Sequence, residues 1–436
     1  MIHDRGRSAL GLVTARAFSS VLGLFLLLGG CSPQAGPPGN VLVFKHGKVP
    51  GDPAALRELL DRFEQDRGVR VVEETLPSAS DVQHQYFITT LEGGSANLDV
   101  FSMDIVWVPE FVRAGWLLEV SDRLSPAIRS DLFPGPLEAC TVGGRLYAVP
   151  WYVDGGVLYY RKDLLERYRR PVPRTFPELA ETALAVLKGE GESSSLYGYL
   201  WQGKQYEGLV CTTLEALSSF GGAIRTNDGV QIDSPAARGT LRFLRSLVTT
   251  GASPSLVTTA DEESTRLLFG AGRAVFLRSW VYAWNLFEAP GSPVKDRVGL
   301  APIPPGPLGH GRSALGGWQL AIYHKTRNPD LSWALIEFLL RPESQAFLTR
   351  TVGYRPSRRS LYKDPGLLHD LPVLEALLPI LAGGEPRPPT PLYPALSEIL
   401  QSEFSAAVTG VKSVDQALDD AQGEATQLFR ESGTSQ

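Results

Sequence analysis

From Val41 onward the chain alternates short apolar runs with amphipathic stretches, and no other feature constrains its fold as tightly. Val41 to Lys45 is a β-rich run. Pro53 then opens a helix whose Leu56, Leu59, Leu60 and Phe63 share one face, and Gly68 stops it. Val69 to Val72 is β-rich again. A helical stretch from about Val82 to Leu91 leads into Leu98-Asp99-Val100-Phe101, and Trp107 to Trp116 reads as helix. This order predicts an α/β fold with a mostly parallel sheet covered on both faces. In such sheets ligands collect outside the carboxyl ends of the strands, and Asp104 stands in that place.

Further along, Arg145 to Pro150 is extended, because proline disfavours helix before it, and it is a candidate crossing between lobes. Lys162 to about Arg278 turns mainly helical, with Pro177 to Leu187, Ala236 to Thr249 and Ser264 to Phe269 as its best helices. The Pro- and Gly-rich segment Ala289 to Arg312 reads as loop around a strand at Val298 to Leu300. Asn328-Pro329 caps a helix over Asp330 to Leu340, and the tail from Ser397 to Phe429 is amphipathic and helical. At roughly 150 residues per domain, a chain of 436 residues should contain two or three cores.

The amino terminus reads as an address. Arg5, Arg7 and Arg16 precede the uncharged run Ala17 to Gly30, whose centre from Val21 to Leu28 is strongly apolar, so residues 1–30 have the pattern of an export signal. The run falls short of the ~20 residues a spanning helix needs, and a Gly- and Pro-rich stretch follows at once. Leu28-Gly29-Gly30-Cys31 resembles the bacterial lipobox, in which the cysteine becomes lipid-modified and begins the mature protein. Residues 31–40 then form a flexible tether, and the folded body is expected outside the cytoplasm, anchored at the cell envelope. Formal charge is −5 although the first 30 residues are net basic, so the body is acidic and a nucleic-acid partner is excluded. Three cysteines are too few for a disulfide framework or a four-cysteine metal site, and Cys140 and Cys211 read as buried free thiols.

Catalytic devices are scarce. The chain has no GxxxxGK[ST] loop, no GxSxG elbow, no HExxH and no CxxC, and its six histidines lack metal-ligand spacing, so no metal and no cofactor are expected. What it concentrates instead is aromatic residues beside carboxylates or glycines, at Met103 to Trp107, Trp151 to Gly156, Trp201 to Glu207, Trp280 to Trp284 and Gly316 to Trp318. A neutral sugar needs this chemistry. The C–H face of a pyranose packs on an indole or phenol ring, while carboxylates accept hydrogen bonds from hydroxyls more strongly than neutral groups do. Gly316 and Gly317 would let ligand and backbone approach closely.

The stretches Asp99 to Asp104, Leu158-Tyr159-Tyr160-Arg161-Lys162-Asp163-Leu164-Leu165, Trp201 to Cys211, Trp280 to Trp284, Leu315 to Trp318, and Arg387-Pro388 with Tyr393-Pro394 resemble the extracellular solute-binding proteins of ABC sugar importers. Within them the chain is most similar to trehalose/maltose-binding proteins, from about Val41 to Phe429. The resemblance implies a two-lobed periplasmic-binding-protein (Venus flytrap) fold, each lobe a sheet flanked by helices, joined by hinge crossings. Lobe 1 would hold 41–148 plus 290–343, and lobe 2 152–286 plus 347–433. It implies a binding protein, not an enzyme: a monomer that captures an α-linked disaccharide, trehalose or maltose, and delivers it to the transmembrane subunits of an ABC permease. Carried over by position, Asp104 and Asp154 would accept sugar hydroxyls beside Tyr152, and Trp280 and Tyr282 would stack on and line the ligand. Gly317 and Trp318 would give a backbone contact and a second indole, and Arg387 would grip ring or hydroxyl oxygens. Glu207 is either a contact or a structural acid. Two positions depart from the pattern: Asp52 is offset from the family's first acid, and His84 stands where the family usually has arginine, a fixed fork of donors that histidine cannot reproduce. An exported glycoside hydrolase using Asp104, Asp154 or Glu207, and an importer protein for another glycoside or polyol, are the alternatives.

Overall fold

The computed structural model describes residues 40–94, 97–191, 194–226, 229–306 and 310–433. The expected signal peptide (residues 1–30), Cys31 and nearly all of the tether lie outside them. One sheet of nine strands organises the described chain, built from β1 (Val41–Gly47), β2 (Arg70–Leu76), β3 (Val100–Asp104), β4 (Ala148–Arg161), β5 (Tyr197–Leu200), β6 (Ala274–Trp280), β7 (Val298–Ala301), β8 (Leu315–Ile322) and β9 (Arg355–Pro356). Their order is β2-β1-β3-β8-β4-β6-β5, with β7 and β9 also paired to β4.

The expectation of a mostly parallel sheet needs correction. β1 runs parallel to β2 and β3, and β6 parallel to β5. β8 is antiparallel to both β3 and β4, and β4 is antiparallel to β6, β7 and β9. The alternation that predicts parallel pairing is confined to the first strands. β8 arrives from much later in the chain and inserts between β3 and β4, a return that local periodicity does not register.

β4 is the element that joins the molecule. Its first half pairs with β8, from Ala148 opposite Ala321 to Gly155 opposite Leu315. Its second half pairs with β6 and β7, from Gly156 opposite Trp280 to Arg161 opposite Val298. On the β1–β3 side a first core packs Leu42, Phe44, Phe101, Trp151, Leu320 and Ile336. On the β5–β6 side a second core packs Val157, Tyr159, Trp201, Phe276, Leu277 and Phe404. Val294, Val298 and Ile303 pack in the second core.

Amphipathic helices close the faces. α1 (Ala54–Arg67) buries Leu56, Leu59, Leu60 and Phe63 at three- and four-residue spacing and ends where Gly68 turns left-handed at φ 65°, its N–H bonding the Glu64 carbonyl at 2.9 Å. α2 (Ser80–Glu92), α3 (Phe176–Glu190), α4 (Glu207–Ser219), α5 (Pro235–Thr249), α6 (Glu262–Gly270) and α7 (Pro329–Leu339) follow. The tail is two helices, α8 (Tyr393–Thr409) and α9 (Val414–Glu431). Gly410 breaks it at φ 82°, and a capping box of Ser413 and Gln416 restarts it. Between Lys162 and Arg278, expected to be mainly helical, the sheet takes β5 and β6. Cys140, in the first core, and Cys211, on α4, are both free and buried. No described helix is long and apolar enough to cross a membrane.

Candidate functional site

Strand ends and helix starts from both cores converge on a cavity of about 570 Å³, within the size range of small-molecule sites. Tyr152 and Asp154, two apart on β4, share the face toward it. The Tyr152 ring lies flat on Tyr354, with centroids 3.8 Å apart and planes 14° from parallel. Asp154 Oδ1 accepts hydrogen bonds from the backbone N–H groups of Gly155 and Val281, each at 2.9 Å, which fixes the chain beyond β6 against β4. Loss of water around the Asp154 carboxyl pushes its pKa up to about 7 despite those two donors.

Trp280 ends β6 and is held on several sides. The Arg278 guanidinium sits over its ring, 4.2 Å from the centroid. Its indole N–H donates to Glu262 Oε1 at 3.2 Å, and Glu262 Oε2 accepts from the Tyr206 hydroxyl at 2.6 Å. Arg278 is in turn locked by a two-pronged pair with Glu215, both bonds 2.7 Å, and by Gln202 at 3.0 Å. The Tyr282 hydroxyl donates to Glu263 at 2.9 Å, and Glu263 pairs with Arg266. The indole is thus a preset platform rather than a loose side chain.

β8 forms a further wall. Gly317 has φ 107°, and a Cβ there would collide with the Tyr152 carbonyl oxygen, so only glycine fits. A Cβ on Gly316 would come within 2.9 Å of the Trp280 ring. Trp318 also lines the cavity and meets Trp107 edge-on at 5.6 Å.

A polar bridge links elements of the two cores. Arg387 Nη2 donates to Asp104 Oδ1 at 2.6 Å and Nη1 to Glu207 Oε1 at 2.7 Å. Asp104 ends β3, caps the turn after it through the Val106 N–H, and accepts from Ser80 Oγ at 3.1 Å. Glu207 opens α4, where a negative charge suits the helix dipole, and also accepts from the Tyr393 hydroxyl at 2.6 Å and from Ser397 Oγ.

Of the residues singled out in the sequence, Asp104, Tyr152, Asp154, Glu207, Trp280, Tyr282, Gly317, Trp318 and Arg387 all line this cavity. Asp52 and His84 do not. Asp52 is exposed and caps the start of α1 by accepting from the Ala54 N–H at 2.9 Å. His84 turns to the other side of α2, where Nε2 meets Glu110 at 2.6 Å and the ring packs beside Trp107 and Phe111. Its neighbour Gln83 faces the cavity instead. Trp151 and Trp201, parts of the aromatic clusters, are core residues. Gln83, Glu262, Arg278 and Tyr354 were not legible. Glu262, Arg278 and Tyr354 act through partners distant in sequence, and Gln83 through its place on the cavity wall; only the spacing of Arg278 two residues before Trp280 on one strand face could have hinted at the support beneath the indole. Among the described residues no group of three or more His, Cys, Asp or Glu could hold a metal ion. The arrangement offers flat aromatic faces, fixed acceptors and few uncommitted charges, a surface for binding a neutral hydroxylated molecule.

Residues 47–346 match the family model of the bacterial extracellular solute-binding protein. A Deinococcus radiodurans protein described as a probable ABC transporter-binding protein is 33% identical over 375 residues, covering 84% of this chain and 89% of that one. The maltose-bound T. maritima MalE3 structure is 35% identical and covers 89% of this chain and 100% of that chain, with a TM-score of 0.85. An ABC transporter solute-binding protein from Agrobacterium radiobacter K84, in complex with ribitol, is 25% identical, with 90% and 99% coverage and a TM-score of 0.80.

Proposed function

The chain belongs to the bacterial extracellular solute-binding proteins, and from that premise we propose that it is the substrate-binding lipoprotein of an ABC sugar importer. It captures an α-linked disaccharide of the trehalose or maltose type in the cavity and delivers it to the transmembrane subunits of the permease. The observation that carries this reading is the Trp280 platform, fixed by Arg278 and Glu262, facing the same cavity as the Asp154 carboxylate. A sugar ring can stack on the indole while its hydroxyls donate to the carboxylate. The MalE3 structure, bound to maltose, supports the choice of disaccharide. The two cores serve as lobes that close on the ligand, contacts from both favouring the closed form, and that shape is what the permease reads. Cys31 carries the lipid after removal of residues 1–30, and the mature protein works as a monomer outside the cytoplasm, anchored at the cell envelope.

Calorimetric titration of residues 32–436 with trehalose, maltose and glucose tests the reading. One-to-one binding of a disaccharide, weakened at least tenfold in Trp280→Ala, is the expected result. Sustained glucose release from either disaccharide would overturn a purely binding role. The second reading, a sugar alcohol as ligand, is favoured by the ribitol-bound relative. Ribitol or mannitol binding in place of either disaccharide would establish it.

A further inference from the structure

The side chain of Gln83 is only 1% exposed, yet its Oε1 meets no donor, and among the described residues its amide nitrogen has no protein acceptor. A buried primary amide can make four hydrogen bonds, and shutting its carbonyl oxygen away from any donor is costly. Packing alone does not account for it, since a methionine would fill the same space without a polar group. The end of β1 closes over one side of the amide: a Cβ on Gly47 would lie 2.6 Å from Gln83 Nε2. Its other side is the cavity wall, which Gln83 shares with Ser78, Ala79 and Ser80 at the start of α2. That helix start has Ala79 as its N-cap residue and no side-chain cap.

The wall around Trp280 and Asp154 is rich in acceptors, whereas this one presents an uncommitted amide and uncapped helix N–H groups. Asp104, on the same side, is already committed to Arg387 and Ser80, which leaves the Gln83 amide as the unpartnered polar group of this wall. Resting on the sugar-binding reading above, we propose that Gln83 determines specificity by hydrogen-bonding the second unit of a neutral two-unit glycoside whose first unit stacks on Trp280. An amide both donates and accepts, so it can satisfy a ring hydroxyl in either sense.

The test is calorimetry on the purified protein with maltose, trehalose and glucose, for wild type, Gln83→Met and Gln83→Glu, with thermal melts of each. Gln83→Met should bind the preferred disaccharide about tenfold more weakly while glucose affinity stays within twofold of wild type. Gln83→Glu, which keeps the shape but puts an unpaired charge at a buried position, should weaken disaccharide binding more at pH 8 than at pH 5. Unchanged disaccharide affinity in a folded variant would overturn the proposal. So would equal losses for disaccharide and glucose, which would make Gln83 a packing residue. A wild-type protein that binds none of the three sugars would instead sink the disaccharide reading itself, and this inference with it.

Discussion

Asp154 is a carboxyl asked to do two opposed things, to sit away from water and to accept hydroxyls. Burial raises its pKa from 3.8 to about 7 in the folded protein, so between those values the native state holds a proton that the unfolded chain has released. Stability therefore falls as pH rises from about 4 to about 7 and is level above that. Asp154→Asn, which can still accept from Gly155 and Val281, should remove this slope and gain roughly 2 kcal/mol at pH 8 in urea melts, with little gain at pH 4. Ligand hydroxyls favour the ionised form, so sugar affinity should rise between pH 5.5 and 8, with proton release on binding near pH 6.5. Titrations in buffers of different ionisation enthalpy measure that release. At this scale the aromatic and acidic residues of the pocket were legible because their chemistry is local: an indole or a carboxylate beside an apolar run advertises itself, although Tyr152, Asp154, Trp280 and Trp318 turn out to lie within strands. Gln83 was not, since polarity and position do not distinguish it from His84 until the helix is rotated into place.

Elements were legible in proportion to the regularity of their pattern. α1 could be read from Leu56, Leu59, Leu60, Phe63 and the Gly68 stop because its burial is one-sided. β4 was legible only at its start, because Pro150 and the pair Gly155-Gly156 look like breakers, and β6 was obscured by the charge of Arg278 in a strand buried on both faces. That arginine predicts its own consequence. Arg278→Met leaves the Glu215 charge buried with only the Ala314 N–H to stabilise it and should destabilise the protein by about 3–5 kcal/mol, while Arg278→Met with Glu215→Gln should recover part of the loss, as chemical denaturation would show. The strand β8 depends on Gly317, where the chain adopts φ 107° just before a register shift between Trp318 and Gln319. Gly317→Ala should cost about 1–3 kcal/mol and weaken ligand binding, because the strand must retreat from Tyr152.

For the whole molecule the telling group is Arg387, whose two terminal nitrogens hold an acid from each core. With the guanidinium gone, Asp104 and Glu207 face one another as unscreened like charges. Arg387→Met should therefore shift the protein without ligand toward an open form, seen as a larger radius of gyration in X-ray scattering, and saturating sugar should restore the compact value. The cleft was legible as a juxtaposition of loops, but this closure contact was not, because its partners lie 180 or more residues from the arginine.

The placement of β8 also orders events in time. β3 and β4 are finished long before Leu315–Ile322 leaves the ribosome, yet that late strand sits between them and pairs with both. Until it arrives the first core has two open strand edges, each able to recruit a neighbouring chain. An amino-terminal fragment ending before residue 315 has no way to complete its sheet, so the polypeptide gains by staying unfolded until about three quarters of it, through Ile322, has emerged.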